Sequence, residues 1–268
     1  MKQYLTPDGQ YYAHAGEGYH IPRPYSLRLL PRVMPPTGVA WNVLMWSSLA
    51  VATVCVYIMA VAKGVNPFVC VLSLLALPYM RNALYCPVLL DVPMIAMASL
   101  TAVLAIYSPS WVVACAVVLS VFISERTPLW SALYSAMFTS DYLTLGIAVV
   151  IAGLFSLWLY IRATPHIDEL NISWLRHPLK SAIEKHRPTI HSYQAWLGPW
   201  GLAVIGICAI DVLLWVSMAL AYLQCLVAMD RTRVYSIVCV PLILSAVYVA
   251  GDYSFLVPLS LWFSEMYE

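Results

Sequence analysis

The chain has 268 residues, 62% of them hydrophobic and only 10% charged, with a mean hydropathy of +0.79 and a formal net charge of +1. A soluble domain is nearer half apolar and a quarter charged, so this excess cannot be hidden in one core and lipid must solvate much of the surface. Fourteen basic residues without a long run exclude a nucleic-acid-binding stripe.

The first 39 residues are polar and aromatic, with no apolar stretch that would read as a signal peptide. An acid and two tyrosines (Asp8, Tyr11, Tyr12) and then arginines (Arg23, Arg28) crowd the water edge of the first hydrophobic run. About 20 apolar residues cross the hydrocarbon core as helix. On that measure, membrane elements are expected at 40–62, 65–79, 92–107, 111–124, 143–161, 197–229, 234–250 and 253–263. The run 128–138 is too short to span comfortably and reads as re-entrant or tilted. The run 197–229 is long enough for a tilted span with an interfacial end. Asn66-Pro67 opens the second element, and the other prolines sit mainly at segment edges. The expected fold is therefore all-α: a polytopic membrane bundle of about eight or nine elements, with no internal repeat. Its regions are a polar loop (1–39), membrane helices with interfacial polar loops (40–161), a basic amphipathic loop (162–196) and C-terminal membrane helices (197–268).

In the loop 162–196, Trp174, Leu175, Leu179, Ala182 and Ile183 recur at helical spacing with basic residues between them. That pattern reads either as an amphipathic helix on the headgroups or as a solvated basic loop. Counting 128–138 as one crossing puts eleven of the fourteen Lys and Arg on one face. The positive-inside rule assigns that face to the cytoplasm.

Four polar groups share this water edge: Asp8 with its tyrosines and arginines, Arg81 to Asp91, Glu125-Arg126, and the His-containing basic loop. A carboxylate can take a proton from an acceptor hydroxyl, arginines can clamp phosphate, and tyrosines can stack on a sugar. Any one of these groups alone also fits interfacial anchoring. Smaller signals are read as structural. The seven cysteines lie mostly in apolar runs, and the histidines lack metal-ligand spacing, so no metal site is expected. Asn171-Ile172-Ser173 fits a glycosylation acceptor only in a eukaryotic secretory context. Asp211, within a long apolar run, reads as a satisfied interhelical hydrogen bond or as a proton-relay residue.

The order Asp8-Gly9-Gln10-Tyr11-Tyr12, then Pro22-Arg23-Pro24-Tyr25 with Arg28, resembles the first external loop of bacterial GT-C-type glycosyltransferases. An Arg81 loop, Asp91-Val92-Pro93 opening a helix, and Glu125-Arg126 ending the next continue the resemblance over about half the chain. The resemblance implies a multi-pass protein of the bacterial inner membrane that transfers a sugar from a polyprenyl-phosphate donor to a cell-envelope or glycan acceptor. It implies Asp8 as catalytic acid/base, and Tyr11, Tyr12, Arg23, Arg28, Arg81, Asp91, Glu125 and Arg126 as substrate-binding residues, with a divalent cation as an optional companion. The bilayer and a lipid-linked substrate are the implied partners. Members of that superfamily carry a helix before the acidic loop, whereas here the loop comes first. That departure keeps a second expectation alongside, an inactive relative serving as a membrane scaffold or partner subunit. A small proton-coupled transporter using Asp211 is the third.

Overall fold

The computed structural model describes residues 38–85, 91–124, 126–163, 198–227 and 236–264. Among them every regular element is helical and no strand occurs. In chain order the α-helices are α1 (Gly38–Ala62), α2 (Pro67–Ala76), α3 (Pro78–Tyr85), α4 (Asp91–Tyr107), α5 (Ser110–Leu119), α6 (Thr127–Ala136), α7 (Tyr142–Ala163), α8 (Val212–Val227), α9 (Cys239–Ala250) and α10 (Leu256–Phe263). A kinked 3-10 segment, Gly198–Ala209, precedes α8. Two stretches of the described residues, Asn42–Ala62 and Ser236–Tyr253, are long and apolar enough to cross a membrane. Six shorter apolar stretches accompany them.

The helix ends follow from local chemistry. α1 stops at Gly64, whose φ of 68° is the left-handed conformation that a residue without Cβ adopts freely. Val65 N–H then donates to Ala60 O (3.0 Å) and Gly64 N–H to Val61 O (3.1 Å), the paired bonds of a Schellman stop. Asn66 opens α2 by accepting from Val69 N–H at 3.3 Å, with Pro67 in the first turn, as its sequence predicts. The element expected at 65–79 is divided, because Leu77 before Pro78 takes extended backbone (φ −57°, ψ 127°) and ends α2 there.

The chain forms two compact units: residues 1–55 with 83–171, and 56–82 with 172–268. In the first, α6 lies at the centre against α4, α5 and α7. Eight of its ten residues are buried, with Trp130 and Tyr134 wholly so. The run 128–138 is thus a core helix of its unit. α7 turns an unbroken apolar stripe outward: Leu143, Ile147, Val150, Ile151, Leu154, Leu157 and Trp158 are all exposed. Its inner side carries small residues, Ala148 and Ala152, beside Leu145. Large apolar residues outside and small ones inside is the arrangement lipid-facing helices use, since small side chains let backbones approach.

In the second unit, α9 packs on the 3-10 segment and on α2, and α10 packs on the same two. Gly206 sits so close to α9 that a Cβ there would lie 2.6 Å from Leu242 O and 2.8 Å from Ala246 N. Leu202 N–H donates to Ser260 Oγ at 2.9 Å, joining the 3-10 segment to α10. The run 197–229, expected as one tilted span, is two elements. Ile210 takes a positive φ of 54°, and Asp211 then caps a new helix. Its Oδ1 accepts from Leu213 N–H at 2.8 Å and from Leu214 N–H at 3.3 Å. The cysteines described (Cys55, Cys70, Cys115, Cys208, Cys239) are free thiols.

Candidate functional site

Asp91 is the first residue of α4, placed there by the helix start that Val92-Pro93 fixes: a proline in the first turn lacks only an N–H that would go unused. A carboxylate in that turn is also favoured by the positive end of the helix dipole. Arg126 immediately precedes α6, on whose first turn Pro128 acts in the same way. α4 and α6 are close neighbours, so the two helix starts converge. Arg126 Nη2 lies 3.7 Å from Asp91 Oδ1, with 25% of the arginine side chain exposed but only 6% of the aspartate. The separation is that of an ion pair rather than a direct N–H···O bond. A nearly buried carboxylate thus faces a partly exposed guanidinium.

That interior is hydroxyl-rich. Ser99, Thr101, Ser120, Ser124, Thr127, Ser131 and Ser135 are all completely buried. Some are locally satisfied: Ser135 Oγ donates to Ser131 O at 2.7 Å, and Ser120 Oγ to Val117 O at 2.6 Å. Thr101 Oγ1 lies 2.8 Å from Ala98 O and 3.3 Å from Ser131 O, fastening α4 to α6 further along.

Arg81 sits in the other unit and is used differently. Its Nη2 donates to Ser264 O at 2.8 Å and to Leu261 O at 3.4 Å, at the end of α10. The guanidinium also lies 5.3 Å from the Trp262 ring centroid, within cation–π range. A cation at a helix C-terminus meets unpaired carbonyls and the negative end of the dipole. Arg81 is therefore a clamp on the last helix, a role invisible in sequence because its partners lie about 180 residues away.

Of the residues expected to form a site, Asp91 and Arg126 are brought together and Arg81 is engaged with α10. Asp8, Tyr11, Tyr12, Arg23, Arg28 and Glu125 lie outside the described residues, as does the basic loop beyond residue 163. Asp211 is a helix cap, legible in retrospect as an aspartate directly before a helical run. The hydroxyl-rich face of α6 (Thr127, Ser131, Ser135) was passed over, although its spacing of four residues is a helical signal. Among the described residues no three His, Cys, Asp or Glu side chains gather to hold a metal ion. Comparison of the chain with family models, with curated proteins and with solved structures finds no match.

Proposed function

We propose that the chain is a multi-pass protein of the bacterial inner membrane that transfers a sugar from a polyprenyl-phosphate donor to a cell-envelope or glycan acceptor. The exposed apolar stripe of α1 (Val39, Val43, Trp46, Val54, Val61), that of α7 and the two long apolar stretches support the membrane placement. The observation that carries the catalytic part is the nearly buried Asp91 paired with the partly exposed Arg126 at the convergent starts of α4 and α6. A mere anchor gains nothing from burying a carboxylate, which is costly to desolvate.

In this reading Asp8 takes the proton of the acceptor hydroxyl. The freed oxygen attacks the anomeric carbon as its bond to the polyprenyl phosphate breaks, and the phosphate leaves with the bonding electrons. Arg23 and Arg28 hold that phosphate, Tyr11 and Tyr12 bind the sugar, and the partly exposed Arg126, oriented by Asp91, meets the substrate with Glu125 beside it in sequence. Arg81, which the resemblance offers as a substrate ligand, acts here on α10.

The test is sugar transfer by the purified protein in lipid, using a polyprenyl-phosphate-linked sugar. Asp8→Asn is expected to abolish transfer while insertion stays normal. Full activity in Asp8→Asn would remove that residue from the mechanism. Sidedness is read separately, with Gln10→Cys in a cysteine-free background and a membrane-impermeant maleimide. Labelling of intact cells is expected. Labelling only after permeabilisation would put the acidic loop in the cytoplasm and sink the external reaction.

A second reading, an inactive membrane scaffold, is favoured by a specific observation. Arg81, which the resemblance offers as a substrate ligand, is engaged instead by the carbonyls of Ser264 and Leu261. Absence of transfer in the wild type, with normal insertion, is its expected result.

A further inference from the structure

The polar face of α6 holds three side-chain atoms that no other described group satisfies. Thr127 Oγ1, Trp130 Nε1 and Ser131 Oγ are all buried without a hydrogen-bond partner. Each residue is 0% exposed. Their spacing is i, i+3 and i+4, so they occupy one side of the helix. A fourth such atom, Ser99 Oγ, lies on the neighbouring α4. The row starts at Thr127, next in sequence to the partly exposed Arg126. At its inner end the backbone of Ser131 faces Thr101 of α4.

We propose that Thr127, Trp130 and Ser131 form an internal water site on the buried side of α6. Leaving a buried donor or acceptor unmade costs the full desolvation of that group, and three such groups on one helical face make a dry interface unfavourable. The three also need a particular guest. An indole N–H only donates, whereas a hydroxyl both donates and accepts, so the guest must accept from one and exchange with the others. Water is the smallest molecule that does so, and buried waters characteristically make about three bonds of this kind. The site is independent of whether sugar transfer is the reaction.

The experiment uses the full chain in lipid bilayers with 15N-labelled tryptophan, and follows magnetisation transferred from water to the indole N–H groups by NMR. The Trp130 resonance is identified by its loss in Trp130→Phe. Early build-up at Trp130, despite its complete burial, is expected. A Trp130 indole that stays dark overturns the proposal. The double variant Thr127→Val, Ser131→Ala supplies an independent reading. If the hydroxyls hold water, its melting temperature falls by several degrees and the Trp130 transfer slows. If they stand dry, removing them raises the melting temperature, and that rise overturns the site.

Discussion

Arg81 shows how much one side chain can hold at the residue scale. A charge-assisted bond to a carbonyl contributes roughly 1.5–3 kcal/mol, and Arg81 makes a short one to Ser264 O together with a stacking contact on Trp262. Arg81→Ala is expected to loosen the end of α10 and destabilise the fold by about 2 kcal/mol, read as a lower melting temperature in detergent. Arg81→Lys should recover only part of this, because an ammonium lacks the planar fork. Asp141 offers a pH-dependent counterpart. It caps α7 through Thr144 N–H at 3.2 Å. Hydrogen bonds from the Ser110 side chain, and then from Thr144, hold its carboxyl below the ordinary value of 3.8. A carboxylate with a lowered folded pKa adds stability that is fully present above the unfolded value and lost as pH falls through the folded one. The cap is therefore intact at neutral pH and lost on acidification below about pH 4. Asp141→Ala should flatten the acid limb of a melting-temperature profile relative to wild type, and an unchanged limb would assign the acid sensitivity elsewhere.

At the scale of elements, the 3-10 segment and α8 show why a long apolar run misleads. Hydropathy alone sees 197–229 as continuous, but Asp211 is worth more as a cap than as a buried charge, and the chain turns at Ile210 to use it. Asp211→Ala should cost about 1 kcal/mol of helix stability, while Asp211→Asn, which retains the capping oxygen, should be near neutral. A proton-coupled transporter makes the opposite prediction, with flux abolished in Asp211→Asn. Gly206 is a sharper case. Any Cβ there strikes the backbone of α9 rather than a movable side chain. Gly206→Ala is expected to cost about 1–3 kcal/mol, or to separate the two elements, measured as a lower melting temperature and faster proteolysis. Other element boundaries were open in the sequence. Asn66-Pro67 announces α2, and Asp91-Val92-Pro93 announces α4 within one residue of its expected start. Leu77 was missed because a proline inside an apolar run signals a break only through the backbone of the residue before it.

For the molecule as a whole, composition conveyed the all-helical class, since so apolar a chain has few other ways to satisfy its backbone in lipid. The pairing of Asp91 with Arg126 was only half legible. Counting crossings suggested that the two lie near one another, but their contact needed α4 and α6 to lie side by side. The structural role of Arg81 was hidden for a related reason, because no local pattern points from it to the end of α10. The proposed membrane placement makes a prediction of its own. The protein should stay in the pellet when membranes are washed with alkaline carbonate and enter solution only with detergent. Release by carbonate would assign the apolar stripes of α1 and α7 to protein partners instead.

The burial of α6 bears on how such a molecule is made. A helix of ten residues is about 15 Å long, half the hydrocarbon thickness, and its serines and threonines give it little affinity for lipid. The insertion machinery, which releases segments sideways according to length and apolarity, has no reason to leave α6 in the bilayer by itself. On the proposed membrane placement, α6 would take its place only once α4 and α5 are in and α7 has emerged behind it. Nascent chains halted before α7 is complete should expose α6 to protease, and chains extended past it should protect it.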